Sequence, residues 1–453
     1  MNTTADHVHV PTTTESTRTV LYVHGHDERE AAGLGCRVVE VRPAAPKDVA
    51  AAYQALLDEG TPASRITLAG EGSGAALALE ALSLLGPPPA GVILLAPAEV
   101  TPPPVLPPLL ILTDAASADV AAEDAGAVDG LVAAVTRAGG SVRVESHPDR
   151  ASRTARAAAW IADPVREFAV PAAGPYAVTA GPDDALWFTL VGQGAIGRRA
   201  ADGAVATYPV GAGPTVITQG PDGALWFTEY QGHAIGRITV EGEARSFALP
   251  TAGAGPFGIA QGPDGALWFT GTNAALVGRI TTDGQVTEYP LPVQGAFPSA
   301  IVAGPDGAMW FAMNQAHAVG RITMDGRIEV HPLPTEGAAP VGITAGGDGA
   351  LWFVEIGAGQ IGRITVDGDI TEFPLPDRTA RPHAITLGPD GACWFTEWGG
   401  NRVGRVTPDG RITTYDLPTP ASEPHGIAVG ADGFLWAALE TGHLARIEVP
   451  EEA

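Results

Sequence analysis

The side chains best suited to chemistry in this 453-residue sequence are two histidines, two glutamates and a tyrosine. His383 and His425 lie 42 residues apart, Glu423 precedes His425 by two residues, and Glu440 follows it in a segment with few other charges. Tyr176 stands at the corresponding place early in the repetitive part of the chain. Imidazole and carboxylate groups exchange protons near neutral pH and coordinate metal ions, so this set could serve acid–base or metal-assisted chemistry.

The spacing of the two histidines is that of a sequence repeat. From Phe168 onward, a pattern of the form PFGIAQGPDGALWFT followed by VGRITTDGQVTEYPLP recurs. Its tryptophans, separated by 39 residues once and by 42 residues five times, are Trp187, Trp226, Trp268, Trp310, Trp352, Trp394 and Trp436. Repeats of about 40 residues with several short β segments are typical of β-propellers, with one four-stranded sheet per repeat. The sequence therefore predicts an all-β propeller of seven blades.

Each repeat predicts four strands in the same order. GIAQG is the inner strand, PDG a hairpin turn whose glycine supplies a positive φ, and ALWFT the second strand, followed by VGRIT and by VTEYPLP at the outer edge. The last repeat ends after three strands, whereas residues 165–171 (VREFAVP) have the pattern of an isolated fourth strand. We expect this N-terminal strand to complete the seventh blade and to remove an exposed sheet edge.

One variable residue follows the proline that begins each inner strand. In blade order these residues are Tyr176, Thr215, Phe257, Ser299, Val341, His383 and His425. Equivalent positions in a propeller form a ring around one mouth of the central channel, which predicts a binding pocket there. Strand alternation would place Glu423 on the same side as His425. Without further information, a histidine on a propeller is more often a surface or hairpin residue than a catalytic one.

The region before the repeats is different in kind. Residues 1–17 are polar and rich in threonine, which predicts a disordered tail. Residues 18–163 alternate short apolar runs such as TVLYVHGH and AGVILLAP with alanine-rich helical stretches. This alternation predicts a parallel sheet flanked by helices, so the chain divides into an α/β domain at 18–163 and a propeller at 164–453.

The 18–163 segment resembles an α/β-hydrolase of the lipase and esterase kind, because AGEGSGAALAL is similar to that family's nucleophile elbow, G-x-S-x-G. The string here is Gly70-Glu71-Gly72-Ser73-Gly74, with glycine at the nucleophile position and serine displaced by one residue. Asp114 and His147 lie near the places expected for the other triad members but lack a correctly held nucleophile. We therefore expect a catalytically inactive domain, with a residual hydrolase that uses Ser73 as the alternative.

Composition excludes several classes of partner. The formal net charge of −25 disfavours nucleic acid and anionic membrane surfaces, which bind basic patches. The two cysteines, Cys36 and Cys393, fall in different predicted domains and offer no disulfide framework. The polar N-terminus lacks the apolar core of a signal peptide, and no apolar run is long enough to span a bilayer. We expect a cytoplasmic monomer with no nucleic-acid or membrane partner.

Three segments of the repeat region, RPHAITLGPDGACWFTEWGGNRVGR, EPHGIAVG and LWAALE, resemble the virginiamycin B lyase family, and the similarity extends over residues 165–453. The resemblance implies that His425 is the catalytic base and that His383 binds substrate. It implies Glu423 and Glu440 as ligands of a Mg²⁺ cofactor, while Tyr176 matches a substrate-binding tyrosine near the mouth. The implied substrate is a small cyclic depsipeptide, a streptogramin B antibiotic, which the family linearises as a means of resistance.

The implied reaction is an elimination at the threonine whose side chain closes the depsipeptide ring by an ester. It removes the threonine Cα proton while the Cβ–O bond breaks, and such a weakly acidic proton requires a neutral imidazole base and an electrophile. Two other functions stay open. One is a non-enzymatic propeller that binds a ligand or partner at its mouth, and the other is a lactonase-like propeller hydrolase that adds water to the ester.

Overall fold

The structure is a computed structural model of the 453-residue chain. The structure describes residues 19–23, 37–41, 45–59, 61, 66–71, 78, 81–82, 85, 91–95, 109–114, 142–147, 164–170 and 174–449. The chain divides into two compact units, of which the first consists mainly of residues 1–163 and the second mainly of residues 164–453. The predicted tail at residues 1–17 lies outside the described residues.

The N-terminal unit contains a parallel sheet of six strands. These are β1 (Thr19–Val23), β2 (Arg37–Val41), β3 (Ile66–Glu71), β4 (Gly91–Leu95), β5 (Leu109–Asp114) and β6 (Val142–His147), and the helix α1 (Pro46–Asp58) follows β2. The strand order is β2-β1-β3-β4-β5-β6 with parallel pairing throughout. Helix α1 begins with a proline at its first turn and buries Val49, Tyr53 and Leu56.

The parallel sheet agrees with the predicted alternation of strands and helices in this region. Asp114 and His147 end the neighbouring strands β5 and β6, and they are opposite each other in the strand register. The centre of the predicted nucleophile elbow, Gly72 to Gly74, lies outside the described residues. The resemblance of this unit to a hydrolase therefore stays a prediction.

The second unit is a β-propeller of seven four-stranded blades. It begins with β7 (Val165–Ala169). Blade 1 contains β8 (Pro175–Ala180), β9 (Leu186–Leu190), β10 (Ala195–Arg199) and β11 (Val205–Pro209), and blade 2 contains β12 (Pro214–Gln219), β13 (Leu225–Glu229), β14 (Ala234–Ile238) and β15 (Ala244–Ala248). Blade 3 contains β16 (Pro256–Gln261), β17 (Leu267–Gly271), β18 (Leu276–Ile280) and β19 (Val286–Pro290), and blade 4 contains β20 (Pro298–Ala303), β21 (Met309–Met313), β22 (Ala318–Ile322) and β23 (Ile328–Pro332). Blade 5 contains β24 (Pro340–Ala345), β25 (Leu351–Glu355), β26 (Gln360–Ile364) and β27 (Ile370–Pro374), and blade 6 contains β28 (Pro382–Leu387), β29 (Cys393–Glu397), β30 (Arg402–Val406) and β31 (Ile412–Asp416). Blade 7 contains β32 (Pro424–Val429), β33 (Leu435–Leu439) and β34 (His443–Ile447).

The strand from residues 165–169 completes the seventh blade, as its sequence pattern predicts. The order in that sheet is β32-β33-β34-β7, and backbone bonds such as that from Val170 N to Gly442 O (2.9 Å) hold the added strand. Inner strands of neighbouring blades pack against one another around the whole ring, including β32 against β8. The seven blades therefore form a closed ring.

The tryptophan of each second strand organises its blade. In blade 3 the Trp268 side chain is fully buried, its Nε1 donates to Asp264 Oδ1 (3.1 Å), and Arg279 Nε donates to Oδ2 of the same aspartate (2.6 Å). The indole also stacks on Tyr289 of the outer strand, with ring centroids 5.6 Å apart. Because the buried N–H needs an acceptor, the PDG turn supplies both the hairpin and that acceptor.

A phenylalanine and a glycine face each other between the second and third strands of six blades. In blade 4, for example, Phe311 pairs with Gly320, where an added Cβ would lie 2.2 Å from the phenylalanine Cζ. The seventh blade carries Ala437 opposite Ala445 at this place. The seventh blade thus has two small residues where each of the other blades pairs a large residue with a small one.

Cys393 is buried and free, and burial raises the pKa of its thiol to about 12, which fits a small apolar core residue.

None of the helical segments in the described part of the chain has the length and apolar character needed to cross a lipid bilayer.

Candidate active site at the mouth of the propeller

The inner strands position the ring of variable residues through hydroxyl bridges between blades. In blade 6, the Thr396 hydroxyl accepts from Ala384 N (3.0 Å) of its own blade and donates to His425 O (2.7 Å) of the next. The same donor arrangement joins Thr189 to Thr215 O, Thr228 to Phe257 O and Thr270 to Ser299 O. Each bridge fixes the backbone of a ring residue to the neighbouring blade, so the side chains of the ring converge on rigid supports.

Aromatic rings surround the His425 imidazole. Tyr176 lies against it with ring centroids 4.5 Å apart and planes 31° apart, and Trp398 flanks it at 6.4 Å and 30°. His383 meets the His425 ring edge-on at 4.8 Å and Tyr176 edge-on at 5.9 Å. The Arg381 guanidinium lies over the Trp398 ring, 5.3 Å from its centroid. The His425 ring is therefore held in place by packing against the aromatic side chains around it.

Two carboxylates approach the same imidazole. Glu423, His425 and Glu440 each offer one ligand atom, and these three atoms lie within 4.8 Å of one another. His425 Nε2 is 3.1 Å from Glu440 Oε1, although within the described chain neither ring nitrogen makes a hydrogen bond. Glu423 is half-buried, His425 is buried and Glu440 is exposed. The group therefore has one face toward solvent and one face in the protein.

Burial keeps both histidines neutral. It lowers the pKa of His383 to about 3, and the nearby His425 acts in the same direction. Burial also lowers the pKa of His425 to about 4, against the opposing effect of the Glu423 carboxylate. The pKa of the Tyr176 hydroxyl is raised above its ordinary value, first by burial and then by the charge of Glu440. At neutral pH the site thus contains two uncharged imidazoles and a protonated phenol.

The donor set fits a hard divalent cation. Two oxygen ligands of one Mg²⁺, each at about 2.1 Å, lie at most about 4.2 Å apart, so groups within 4.8 Å need only a small side-chain movement. Glu423 and Glu440 supply carboxylate oxygens, which Mg²⁺ prefers, and Glu440 is exposed enough to leave positions for water or substrate. The residues present therefore suit the cation that the sequence resemblance implies.

The structure brings together the five residues that the sequence indicates, which are Tyr176, His383, Glu423, His425 and Glu440. The position of Glu423, however, does not result from strand alternation. Glu423 lies before β32 rather than within it, and its φ of +49° is left-handed. This conformation, not a two-residue period, directs its carboxylate toward His425. Trp398 and Arg381 were missed, although Trp398 is a second tryptophan in blade 6, outside the register of the repeat.

Two glutamates that recur after tryptophans serve the blades instead. Glu229 is buried and accepts from Ser246 Oγ (2.7 Å), while Glu397 is buried and pairs with Arg402 Nε (2.6 Å). Both bonds lie within a single blade, between its second strand and its third or fourth strand. These carboxylates are therefore structural.

Sequence comparison assigns the propeller to a family, because the profile of the virginiamycin B lyase family matches residues 163–447. The chain belongs to the virginiamycin B lyase family. It is similar to the virginiamycin B lyase of Streptomyces coelicolor, with 66% identity over 52 residues, or 11% of this chain and 17% of that protein. The matched segment thus spans about a sixth of that curated relative.

Solved structures of virginiamycin B lyases extend the likeness to the whole propeller. A streptogramin B lyase structure is 42% identical, with a TM-score of 0.61, and the alignment covers 63% of this chain and 97% of that chain. A catalytically inactive histidine-to-alanine variant of the Staphylococcus aureus virginiamycin B lyase, crystallised with quinupristin, is 41% identical with the same TM-score and coverage of 63% and 99%. The propeller therefore has the extent and fold of a complete virginiamycin B lyase.

Proposed function

We propose that the propeller linearises streptogramin B cyclic depsipeptides by elimination at the threonine ester, and that it confers resistance to these antibiotics. The observation that carries this proposal is the convergence of Glu423, His425 and Glu440 at one mouth of the ring, with ligand atoms within 4.8 Å of one another. The family and the quinupristin complex of the Staphylococcus aureus relative support the class of substrate.

His425 is the proposed base. Its ring is neutral at physiological pH, and its nitrogens make no hydrogen bond within the described residues, so an imidazole lone pair is free to accept the threonine Cα proton. The electrons of that C–H bond form the Cα=Cβ double bond as the Cβ–O bond breaks, and the ester oxygen leaves as a carboxylate. The product is a linear isomer with a dehydrated threonine, and no water is consumed.

Glu423 and Glu440 are the proposed Mg²⁺ ligands. When bound, the cation would stabilise negative charge that develops on the substrate. Tyr176 and His383 flank His425 and are proposed to bind the substrate, since the Tyr176 hydroxyl stays protonated and can donate to a carbonyl oxygen. Trp398 packs near the imidazole, and the Arg381 guanidinium lies over the Trp398 ring.

The proposed test follows quinupristin with the full chain and Mg²⁺ by liquid chromatography and mass spectrometry. Elimination gives a product of unchanged mass that is recognised by its retention time and by a dehydrated threonine in its fragments. We expect His425→Ala to reduce turnover by at least about 10²-fold and EDTA to abolish it. His331→Tyr is the control, because His331 stacks on Trp310 in an outer strand where other blades have tyrosine.

Other outcomes separate the alternative functions. A product heavier by one water would identify a lactonase-like hydrolase, and an antibiotic that binds but stays cyclic would identify a non-enzymatic binding protein. Equal turnover by wild type and His425→Ala would reject the proposed base. Higher Mg²⁺ requirements in Glu423→Gln and Glu440→Gln are expected if these two carboxylates hold the cation.

The N-terminal unit is proposed to be catalytically inactive. Gly72 stands at the nucleophile position of its hydrolase-like elbow, and Ser73 is displaced by one residue, so Glu71 stands where the G-x-S-x-G pattern requires its first glycine. A Ser73→Ala variant that keeps any esterase activity of the full chain would support this view, whereas loss of such activity would assign it to Ser73.

A further inference from the structure

The residue before the inner-strand proline has a left-handed backbone in every blade. Blades 1 to 3 carry glycine there, which adopts a positive φ without strain. Blades 4 to 7 carry Phe297, Ala339, Arg381 and Glu423, with φ between 49° and 52°. A side chain at positive φ is uncommon, and a bulky residue in this conformation is an outlier of a kind that clusters at functional sites.

The backbone around Phe297 is held independently of its side chain. Phe297 O accepts from Asn314 N (3.1 Å), and the next carbonyl, that of Pro298, accepts from the Thr272 hydroxyl (2.7 Å). Glycine serves the same turn in blades 1 to 3. The fold therefore requires the left-handed turn but does not require a phenylalanine in it.

The Phe297 side chain is also unusually exposed. It is 42% accessible, and only Val366 accompanies it among the large apolar side chains that the described chain exposes. Within the described residues no aromatic ring stacks on it, in contrast to Arg381, which covers Trp398. An aromatic side chain that leaves 42% of its surface accessible stabilises its own blade less than a fully buried ring would.

The position of Phe297 in its repeat equals that of Glu423. Phe297 precedes the ring residue Ser299 by two positions, just as Glu423 precedes His425, and the two backbones have φ of 52° and 49°. Because the two residues are equivalent in the repeat and have the same backbone conformation, they lie on the same rim of the propeller. Phe297 belongs to blade 4 and Glu423 to blade 7, three places apart in a ring of seven blades, so Phe297 stands across the mouth from the proposed base and metal ligands.

We propose that Phe297 is a substrate-contacting residue that provides an apolar platform for the far side of the cyclic depsipeptide. The inference rests on the proposed function and adds a specificity-determining residue to it. Burial of the exposed part of one phenylalanine ring corresponds to about a tenfold change in affinity. Because the platform lies away from the reacting atoms, its removal changes KM more than kcat.

The test compares Phe297→Gly with Ala339→Gly, which relieves the same left-handed backbone one blade away. We expect Phe297→Gly to raise KM for quinupristin about tenfold with kcat within about twofold of wild type, and Phe297→Leu to restore most of the affinity. Ala339→Gly is expected to leave both constants unchanged. Thermal unfolding of all three variants checks that they are folded.

The outcomes separate this inference from the function on which it rests. If wild type linearises quinupristin and Phe297→Gly has an unchanged KM, the platform is rejected and the lyase stands. If wild type binds quinupristin without linearising it, calorimetric Kd values of the same variants decide on Phe297 while the lyase is rejected. Absence of both binding and turnover in wild type would overturn both proposals.

Discussion

Glu355, at the end of strand β25, offers a quantitative test of the electrostatics inside a blade. Its side chain is fully buried, Oε2 accepts from Gln360 Nε2 (2.7 Å), and Oε1 has no hydrogen-bond partner among the described residues. Burial therefore raises the pKa of this carboxyl to about 7, although the hydrogen bond from Gln360 acts in the opposite direction. The charged form is the form that the folded blade disfavours.

The sign and size of the effect follow from this shift. A rise from 4.5 to about 7 corresponds to about 3 kcal/mol, because each pKa unit is worth about 1.4 kcal/mol. Below pH 4.5 the group is protonated in both states and costs nothing. As the pH rises from 4.5 to about 7, the carboxyl ionises more readily in the unfolded state than in the folded state, so the free energy of unfolding falls. Above about pH 7 this loss is complete.

Glu355→Gln replaces the carboxyl by a neutral group of the same shape, which can still accept from Gln360. We expect the variant to match wild type near pH 4 and to exceed its free energy of unfolding by about 3 kcal/mol at pH 8. Urea unfolding of the full chain, followed by tryptophan fluorescence across this pH range, measures the difference. Glu336→Gln removes an exposed charge from the same region and is the control. A gain that is independent of pH, or absent at pH 8, would refute the assigned burial of charge.

Two further predictions concern the repeated contacts of the blades. Burial acts to raise the pKa of the Asp264 carboxyl, but hydrogen bonds from Arg279 and Trp268 outweigh it and lower the pKa. The ionised carboxylate therefore stabilises the folded state above about pH 4, and this contribution is lost as the pH falls through the folded-state pKa. Asp264→Asn is expected to cost about 2 kcal/mol at pH 7 and less at pH 3, measured by urea unfolding at both values; an equal loss at both would contradict the ionic contribution. Gly320→Ala is expected to cost about 3 kcal/mol, and Phe311→Ala in the same chain should recover part of this loss in a double-mutant cycle, because it recreates the alanine pair of blade 7. Strict additivity would contradict the packing argument.

The architecture of the propeller could be predicted because the sequence repeats the same physical constraint seven times. Each buried indole needs an acceptor, each hairpin needs a residue at positive φ, and one period of 42 residues links them. The missing fourth strand of the last repeat likewise indicated where residues 165–169 pair. The position of the ring residues at a common mouth follows from the same symmetry.

The rim of the site could not be predicted in the same way. Alternation in a strand was the argument for placing Glu423 beside His425, yet the residue precedes the strand in a left-handed turn. Residues before proline usually adopt extended conformations, so the sequence favours the wrong backbone at Phe297 and Arg381 as well. In blades 4 to 7 this turn lacks glycine. The requirement for a positive φ can be recognised there only by comparison with blades 1 to 3, which carry glycine at the same position.

Closure of the ring by β7 also sets the order in which the molecule can be completed during synthesis. The strand at 165–169 leaves the ribosome before the other strands of the propeller, but its partner, β34, is the last propeller strand in the sequence. Glu423, His425 and Glu440 all belong to this last sheet or to its loops. Tyr176 of blade 1 and His383 of blade 6 both flank His425 of blade 7, so the proposed site is complete only after the first and last blades of the propeller have met.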